Sequence, residues 1–194
     1  MRAKLAGSVF WHLRGHIFRE IGSGEILLMD ICTDIDGIRF NLRVAGILER
    51  DGEILLHRQK KDDFWSLVGG RVQTMESTVK ALSREFNEEL GADITVERLA
   101  SVIENFFEYE RTQSHEILFI YYLRDDQNTI GFSQKYETED LEFQWFAKED
   151  LPSIAVKPEW IQQTLLLRLD QPQHFIHHAE QPNPSSGSLR PFRV

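Results

Sequence analysis

The chain has 194 residues, of which 41% are hydrophobic and 27% charged, and these values are typical of a globular protein with one sizeable core. The net charge of −9 argues against broad nucleic-acid binding through the phosphate backbone. The single cysteine, Cys32, excludes an intramolecular disulfide, fits a reducing compartment such as the cytoplasm, and is interpreted as a half-buried strand thiol.

Residues 1–28 carry no pattern that predicts a packed element. A short apolar run at residues 9–11 is followed at once by polar residues, so it is too short for a signal sequence or a membrane span. We expect an N-terminal extension of unclear role, either a small appended helix or the product of an over-extended gene start. The domain is expected to cover residues 29–178, without membrane association.

Two dipeptides predict tight hairpins between strands. Residues 36–37 and 51–52 are both Asp-Gly, a strong signal for a two-residue turn. Between them, residues 38–44 alternate between apolar and polar, and residues 45–48 are apolar, which is typical of a strand that enters a core. The returning strand is predicted at residues 53–58.

A basic group lies at the end of this strand, formed by His57, Arg58, Lys60 and Lys61. It is either a solvated loop or a set of phosphate contacts, and both interpretations stay open. Arg58 is the best candidate for substrate binding, because a guanidinium can bind phosphate through two hydrogen bonds.

A strand-like run at residues 64–68 leads into two glycines. Trp65, within this run, either stacks on a base or belongs to the core, and we keep it as a candidate substrate contact. Adjacent glycines such as Gly69 and Gly70 let the backbone approach a ligand closely.

The next segment predicts an amphipathic helix with clustered negative charge. At about 100° per residue, Glu85, Glu88 and Glu89 share one arc, beside an apolar stripe that includes Leu82 and Phe86. Each like-charge pair costs roughly 0.2–0.5 kcal/mol on an exposed helix. The arc is either a solvated acidic face or a cation site, and oxygen ligands suit a hard ion such as Mg²⁺.

The helix and the residues before it complete a motif. Thr74 or Ser77 can cap the start of the helix, and a glycine fits its end. The segment resembles the Nudix box, in which glycines, an Arg-Glu pair, an apolar residue and further glutamates recur at fixed spacing. The matching residues are Gly70, Glu76, Arg84, Glu85, Phe86, Glu88, Glu89 and Gly91.

The resemblance implies a Nudix-type α/β/α sandwich with a mixed β-sheet. It also implies metal-dependent hydrolysis of a small-molecule substrate, a nucleoside diphosphate linked to another moiety, with Mg²⁺ or Mn²⁺ as cofactor. Glu85, Glu88 and Glu89 would share metal binding and the part of general base, without a decision on which one takes the proton. Arg84 would orient a glutamate and pair with Glu76, so its role would be structural.

Other residues of the motif would act through their backbone or have a structural role. The carbonyl of Gly69 or Gly70 would complete the metal shell, and Gly91 would be structural. The chain departs from the commoner pattern at Val68, where a proline is frequent, and at Gln73, where many relatives carry a glutamate.

Two other functions on this fold are weighed against hydrolysis. A non-hydrolytic module that senses a nucleotide or sugar would show degenerate box glutamates, and none is seen. An isomerase acting on a prenyl diphosphate needs a further catalytic cysteine, and Cys32 lies far before the box. The sequence does not choose among nucleotide sugars, dinucleoside polyphosphates, oxidised nucleotides and capped RNA ends.

Two long strands are predicted after the helix, at residues 102–107 and 117–123, the second nearly continuous in apolar residues. Glu104 and Asn105 lie in the first strand. Many bacterial Nudix proteins show similar residues here, so both are candidate substrate contacts that face the pocket.

A polar, acidic segment at residues 124–140 predicts a loop beside the site. Members of the family often supply one more glutamate from a late loop, so Glu139 is a candidate metal ligand, with Glu137 second. A last short strand is predicted at residues 141–146, where alternation suggests that Glu142 points to solvent.

The end of the chain is predicted to hold an amphipathic helix at residues 158–169 and a disordered tail at residues 179–194. Three histidines between them, His174, His177 and His178, favour a surface or interface part over a metal cluster. A homodimer is left open.

Overall fold

The computed structural model of the protein describes residues 28–131, 136–159, 161–166 and 168–179. Its strands are β1 (Cys32–Ile35), β2 (Ile38–Arg50), β3 (Glu53–Gln59), β4 (Ser66–Arg71), β5 (Thr95–Tyr109), β6 (Thr112–Arg124), β7 (Tyr136–Glu137), β8 (Leu141–Ala147) and β9 (Gln173–His178). Its helices are α1 (Thr78–Leu90), α2 (Ile161–Leu166) and a 3₁₀ helix at Lys148–Ser153. None of the described helices has the length and apolar character needed to cross a membrane.

The strands form one mixed sheet. Their order is β7-β8-β3-β4-β2-β6-β5-β9, and β1 pairs with the start of β2. β2 is parallel to β6 and β5 is parallel to β9, whereas the other pairs are antiparallel. The sequence-based prediction of a mixed sheet is confirmed.

Both Asp-Gly dipeptides form the hairpins that the sequence predicts. Asp36 and Gly37 have φ of 50° and 85°, and Asp51 and Gly52 have φ of 51° and 84°. Positive φ at both central residues is the geometry of the type I′ turn, whose twist matches that of the flanking strands. These turns fix the register of β1 with β2 and of β2 with β3.

The sheet carries an apolar cluster on each face. Along β2, Val44 belongs to one cluster and Ala45 to the other, because successive side chains point to opposite faces. α1 packs on the first cluster through Leu82 and Phe86. α2 packs on the second through Ile161, together with the 3₁₀ helix. The result is the predicted α/β/α sandwich.

The C-terminal part differs from the sequence-based expectation. The described helix α2 has six residues, shorter than the predicted helix at residues 158–169. The histidine-containing segment 173–178 forms strand β9, which pairs with β5. A parallel strand at a sheet edge has its partner far away in sequence, so local pattern gives little sign of it. The predicted N-terminal extension and disordered tail lie outside the described residues, apart from residues 28 and 179 at their borders.

Candidate active site

Helix α1 begins and ends as the motif predicts. The backbone N–H of Lys80 donates to Ser77 Oγ over 3.3 Å, which makes Ser77 the N-cap. Gly91 has a φ of 64°, and its N–H donates to the last turn of the helix. Leu82 and Phe86 are fully buried, so the apolar stripe sets the rotation of the helix and thereby the direction of the glutamate arc.

Arg84 connects three carboxylates and the loop before the helix. Its Nε and Nη2 donate to the two carboxylate oxygens of Glu76 over 2.9 and 3.0 Å, and Nη2 also donates to the carbonyl of Arg71. Its Nη1 donates to Glu85 Oε1 over 2.8 Å and to Glu88 Oε2 over 3.1 Å. The Arg84 guanidinium lowers the pKa of Glu76. Arg84 therefore ties the start of the motif to its glutamates.

The two glycines of β4 have separate effects. A Cβ at Gly70 would lie 2.2–2.4 Å from the carboxyl atoms of Glu85, so the missing side chain leaves the space that this carboxylate occupies. A Cβ at Gly69 would lie 2.1 Å from the carbonyl oxygen of Val44 and 2.7 Å from Cα of Ala45. Gly69 thus allows β4 to approach β2, and Gly70 allows Glu85 to approach β4.

Glu89 lies beside a buried histidine. His57 Nδ1 and Glu89 Oε2 are 3.8 Å apart, and neither atom has a hydrogen-bond partner among the described residues. Burial, and next the charge of Arg43, lower the pKa of His57 to about 4, so its ring is neutral near pH 7. Burial, and next the charge of Glu85, raise the pKa of Glu89 to about 7. Burial also raises the pKa of Glu85.

His57 is a site residue that the sequence-based interpretation misplaced. The sequence pattern groups it with Arg58, Lys60 and Lys61 and predicts a basic loop or a set of phosphate contacts. The structure places it inside β3, buried and next to Glu89. Its position in an apolar run was the one sign available, but the partner across the fold cannot be deduced from that run.

The donor set fits a divalent cation. Glu89 has a buried carboxylate oxygen without a partner in the described structure, and Gly70 makes room for Glu85. Carboxylate oxygens are the ligands that hard cations prefer. Within the described ranges no group of three or more His, Cys, Asp or Glu side chains is already arranged to hold a metal. Arg84 instead holds Glu85 and Glu88, so a cation would compete with a guanidinium for their oxygens.

Arg43 of β2 lies near the glutamates of α1 and also near Glu116 of β6, with 3.9 Å between its Nε and Glu116 Oε2. It lies on β2 opposite Arg71 of β4, one residue from the pair of Val44 with Gly70. Burial is the largest effect and raises the pKa values of both Glu85 and Glu89; the charge of Arg43 acts against this rise at both, and at Glu85 it acts more weakly than Arg84. No local sequence signal marks Arg43 as a site residue, because its position beside the site depends on strand register.

Arg58 is bound by protein groups. Its Nε and Nη2 donate to Glu142 Oε2 over 2.9 and 2.8 Å, and its guanidinium lies 4.6 Å from the centroid of the Trp65 ring. The Glu142 side chain is 14% exposed, so the expectation that it points to solvent is wrong. Glu142 shares its face of β8 with Phe146, and that face packs on the core.

Trp65 lies in the core and is 7% exposed. Its ring packs edge-on against Phe146, with 4.8 Å between centroids, and Arg58 covers it. The substrate contacts expected of Trp65 and Arg58 stay predictions, and each would require the present contacts of Arg58 to rearrange.

Glu104 and Asn105 point to opposite faces of the sheet, because they are adjacent in β5. Asn105 is buried and hydrogen-bonded to Glu116 over 3.2 Å. Glu104 pairs with His174 Nε2 over 2.9 Å on the other face. The sequence predicts that both side chains face the pocket, but the structure places them on opposite faces of the sheet. Their contacts with substrate stay predictions.

Glu139 is exposed in the turn between β7 and β8. A backbone hydrogen bond from Thr138 to Leu141 closes this turn. The structure describes no contact between Glu139 and the glutamates of α1, and its part as a metal ligand stays a prediction.

Comparison with known proteins decides the family. A family model for the NUDIX domain matches residues 39–167, which is more than half of the chain. The chain belongs to the Nudix family. Nudix hydrolases generally use divalent metal ions.

Individual relatives match this Nudix protein at low identity or over only part of its length. It is 49% identical over 57 residues to a CTP pyrophosphohydrolase from Escherichia coli (strain K12), a match that covers 27% of this chain and 42% of the relative. It is 29% identical over 121 residues to an ADP-ribose pyrophosphatase from Methanocaldococcus jannaschii, covering 61% of this chain and 68% of the relative. The chain thus spans less than half the length of the Escherichia coli protein, and 53% of the length of a further relative from Bacillus subtilis (strain 168).

Solved structures show the same fold. A MutT protein from Bacillus halodurans superposes with a TM-score of 0.53 at 20% identity, and the match covers 78% of this chain and 97% of that one. At this identity the likeness concerns the arrangement of the sheet and its helices.

Proposed function

We propose that this Nudix protein hydrolyses the pyrophosphate linkage of a nucleoside diphosphate that is linked to another moiety. The observation that carries the proposal is the geometry of α1 against β4. Glu85 occupies the space left by Gly70, and Glu89 keeps a buried carboxylate oxygen without a described partner. Family membership supports the same reaction class, and the relatives from Escherichia coli and Methanocaldococcus jannaschii are named for the hydrolysis of pyrophosphate linkages.

The cofactor in this proposal is Mg²⁺ or Mn²⁺. Glu85, Glu88 and Glu89 hold the ion, with a carbonyl of Gly69 or Gly70. When bound, the ion neutralises phosphate charge and promotes attack of water at phosphorus. One glutamate of the arc accepts the proton from this water, and Arg84 keeps the arc in place through its bonds to Glu76 and to the carbonyl of Arg71.

Other residues bind the substrate in this proposal. Arg58 of β3 and Trp65, just before β4, contact the substrate once the present contacts of Arg58 rearrange, and Glu139 approaches from the turn between β7 and β8 when metal and substrate are present. Asn105 contacts the nucleoside, and Glu104 also contacts the substrate. The protein works in the cytoplasm, consistent with its single cysteine, and a domain at residues 29–178 carries the activity.

The test is a hydrolysis screen on the purified full chain. The panel contains CTP, ADP-ribose, a nucleotide sugar, a dinucleoside polyphosphate, an oxidised nucleotide and a capped RNA, each with Mg²⁺, Mn²⁺ or EDTA. We expect release of a nucleoside monophosphate or phosphate from at least one member, and loss of this release in EDTA. The control variant is Lys80→Ala, an exposed position on the same helix, which should keep the activity.

A second candidate is a nucleotide- or sugar-sensing module that binds without hydrolysis. The contacts of Arg84 with Glu85 and Glu88 favour it, because they occupy carboxylates that a metal would need. Tight binding of a panel member without turnover in either metal would replace hydrolysis by this function.

A further inference from the structure

Two buried polar atoms lie close together between the sheet and the end of helix α1. They are Nδ1 of His57, a residue of β3, and Oε2 of Glu89, a residue in the last turn of α1. The distance between them is 3.8 Å, which is too long for a hydrogen bond. Neither atom has a hydrogen-bond partner among the residues that the structure describes. A small movement would therefore pair two atoms that are otherwise unsatisfied.

Few other groups of the described structure are available to these atoms. The partner of His57 on β8 is Phe143, whose ring is fully buried and lies 5.6 Å from the imidazole between centroids. Arg43 acts on both groups through its charge, but it is not a hydrogen-bond partner of either atom. The backbone of Leu67 on β4 offers the ring a second acceptor. Buried polar atoms without partners are rare and costly, so two of them at this distance need an explanation.

The position of the ring proton decides whether this contact attracts or repels. A neutral imidazole has one N–H and one lone pair, so its proton serves either Glu89 or the Leu67 backbone. With the proton on Nε2, Nδ1 would present its lone pair to a carboxylate oxygen, and the two would repel. A carboxylate is a stronger acceptor than a backbone carbonyl, because it is charged. Glu89 therefore favours the tautomer with the proton on Nδ1.

A bond to His57 would give the two oxygens of Glu89 different tasks. The Glu89 side chain is 18% exposed although its Oε2 is buried, so its exposed part lies on the other side of the carboxylate. With Oε2 held by the imidazole, Oε1 stays available to a cation. Groups that hydrogen-bond to a metal-binding side chain orient it, and their removal typically weakens metal binding about 10–100-fold.

We propose that His57 is a positioning residue of the candidate active site. It donates Nδ1–H to Glu89 Oε2 and so holds this carboxylate with its other oxygen free for the divalent cation. The bond forms when the two atoms approach by about 1 Å, which brings them to hydrogen-bond length. His57 contacts neither the substrate nor the cation, and it transfers no proton. This inference rests on the proposed function for the part of Glu89 as a metal ligand.

The first measurement is the tautomer of His57 in the wild-type full chain. ¹⁵N NMR of the imidazole nitrogens distinguishes Nδ1–H from Nε2–H, and the ring is assigned through the backbone signals of its own residue. We expect Nδ1–H in saturating Mg²⁺ at slightly alkaline pH. The Nε2–H tautomer under these conditions would overturn the proposal. This measurement needs no variant, so it decides the matter even if a substitution prevents folding.

The second measurement compares variants that differ in the donor. His57→Asn keeps an N–H at the place of Nδ1, whereas His57→Leu has a similar branched shape without a donor. We expect His57→Asn to bind Mn²⁺ within about threefold of wild type, and His57→Leu to bind it about 10–100-fold more weakly. Electron paramagnetic resonance measures the binding. The melting temperature of His57→Leu in EDTA should change little, which separates a loss of positioning from a loss of packing.

The matched control is His174→Leu. His174 also pairs with a carboxylate, that of Glu104, but this pair lies outside the glutamate arc. The control should keep the Mn²⁺ affinity of the wild type. A loss of affinity as large as that of His57→Leu would show that removal of any histidine beside a carboxylate has this effect, and it would overturn the proposal.

The remaining outcomes separate this inference from the proposed function. Equal affinities of His57→Asn and His57→Leu for Mn²⁺, or absence of Mn²⁺ binding by the wild type, would overturn the inference. A protein that hydrolyses the substrate panel but carries the His57 proton on Nε2 keeps the proposed function and loses the inference. A protein that hydrolyses nothing, but shows the Nδ1–H tautomer and weakened Mn²⁺ binding in His57→Leu alone, does the reverse.

Discussion

Glu88 and Glu89 are adjacent on α1 but have different surroundings. Glu88 is 58% exposed and bound to Arg84, whereas Glu89 is 18% exposed and has a buried oxygen without a described partner. We predict that Glu88→Gln and Glu89→Gln each lower kcat about a hundredfold or more, because each removes a charged oxygen ligand. Glu89→Gln should also raise the melting temperature of the metal-free protein above pH 7, since it replaces a buried carboxylate whose pKa burial raises to about 7. Steady-state rates and melting curves in EDTA measure both effects, and near-normal rates in both variants would show that the arc is not the metal site.

The two glycines of β4 give a matched pair of substitutions. In Gly70→Ala the new methyl group meets the flexible Glu85 carboxylate, so we predict a large loss of turnover with a small change in melting temperature. In Gly69→Ala the methyl group meets the backbone of Val44 and Ala45, which cannot move away cheaply, so the fold itself should lose stability. Turnover and melting temperature of the two variants check this. Equal losses of melting temperature in the two variants would contradict the inference that Gly69 is needed for the fold and Gly70 for the position of Glu85.

At the scale of elements, Arg84 joins helix α1 to the loop that precedes it. We predict that Arg84→Ala lowers the free energy of unfolding by about 1–3 kcal/mol, because several hydrogen bonds to charged and backbone acceptors are lost. Arg84→Lys should recover little of this, since an ammonium cannot bind both Glu76 oxygens in the same plane. Urea unfolding measures the loss, with Lys80→Ala as the exposed control on the same helix. Full recovery by lysine would show that charge alone is needed.

At the scale of the whole molecule, Arg50 at the end of β2 links the hairpin between β2 and β3 to the loop at residues 125–131 that follows β6. Burial opposes ionisation of Asp125, but donors from Ile130 N–H and Thr129, and the charge of Arg50, leave its pKa below the ordinary value. The folded pKa is depressed, so this stability is present above the unfolded pKa of about 4 and is lost as pH falls through the folded pKa. We therefore predict that Asp125→Asn costs stability at pH 7 and that its difference from wild type shrinks as the pH is lowered below about 4. Urea unfolding of both proteins at several pH values is the measurement, and a difference that is constant with pH would contradict it.

The N-terminal boundary also concerns the whole molecule. Met29 is anchored by two hydrogen bonds with Thr74, from its N–H to Thr74 Oγ1 over 3.2 Å and from the Thr74 N–H to its carbonyl over 2.8 Å. We predict that a chain starting at Met29 keeps the turnover and the melting temperature of the full chain, because it retains the residue whose hydrogen bonds with Thr74 fix the start of the domain. Activity assays and thermal melts of the two chains test this, with sedimentation to compare their oligomeric states. A large fall in melting temperature would show that residues 1–28 pack on the domain or hold a dimer together.

The amino-acid sequence by itself determined features that depend on neighbours along the chain. The Asp-Gly turns require positive φ, the cap at Ser77 and the end at Gly91 are local, and the spacing of the three glutamates fixes them on one arc of a helix. The Nudix resemblance, and with it the mixed sheet, rests on these local signals.

Tertiary structure alone decided which residues meet across the sheet. Strand register places Arg43 beside Gly70 and lines up Asn41 with Glu116 and Asn105, and nothing near Asn41 in sequence indicates those partners. The same holds for β9, whose pairing with β5 depends on a contact about seventy residues away in sequence. Local periodicity shows which face a side chain takes relative to its own strand, but the side chains that share this face belong to distant strands, and only the folded sheet brings them together.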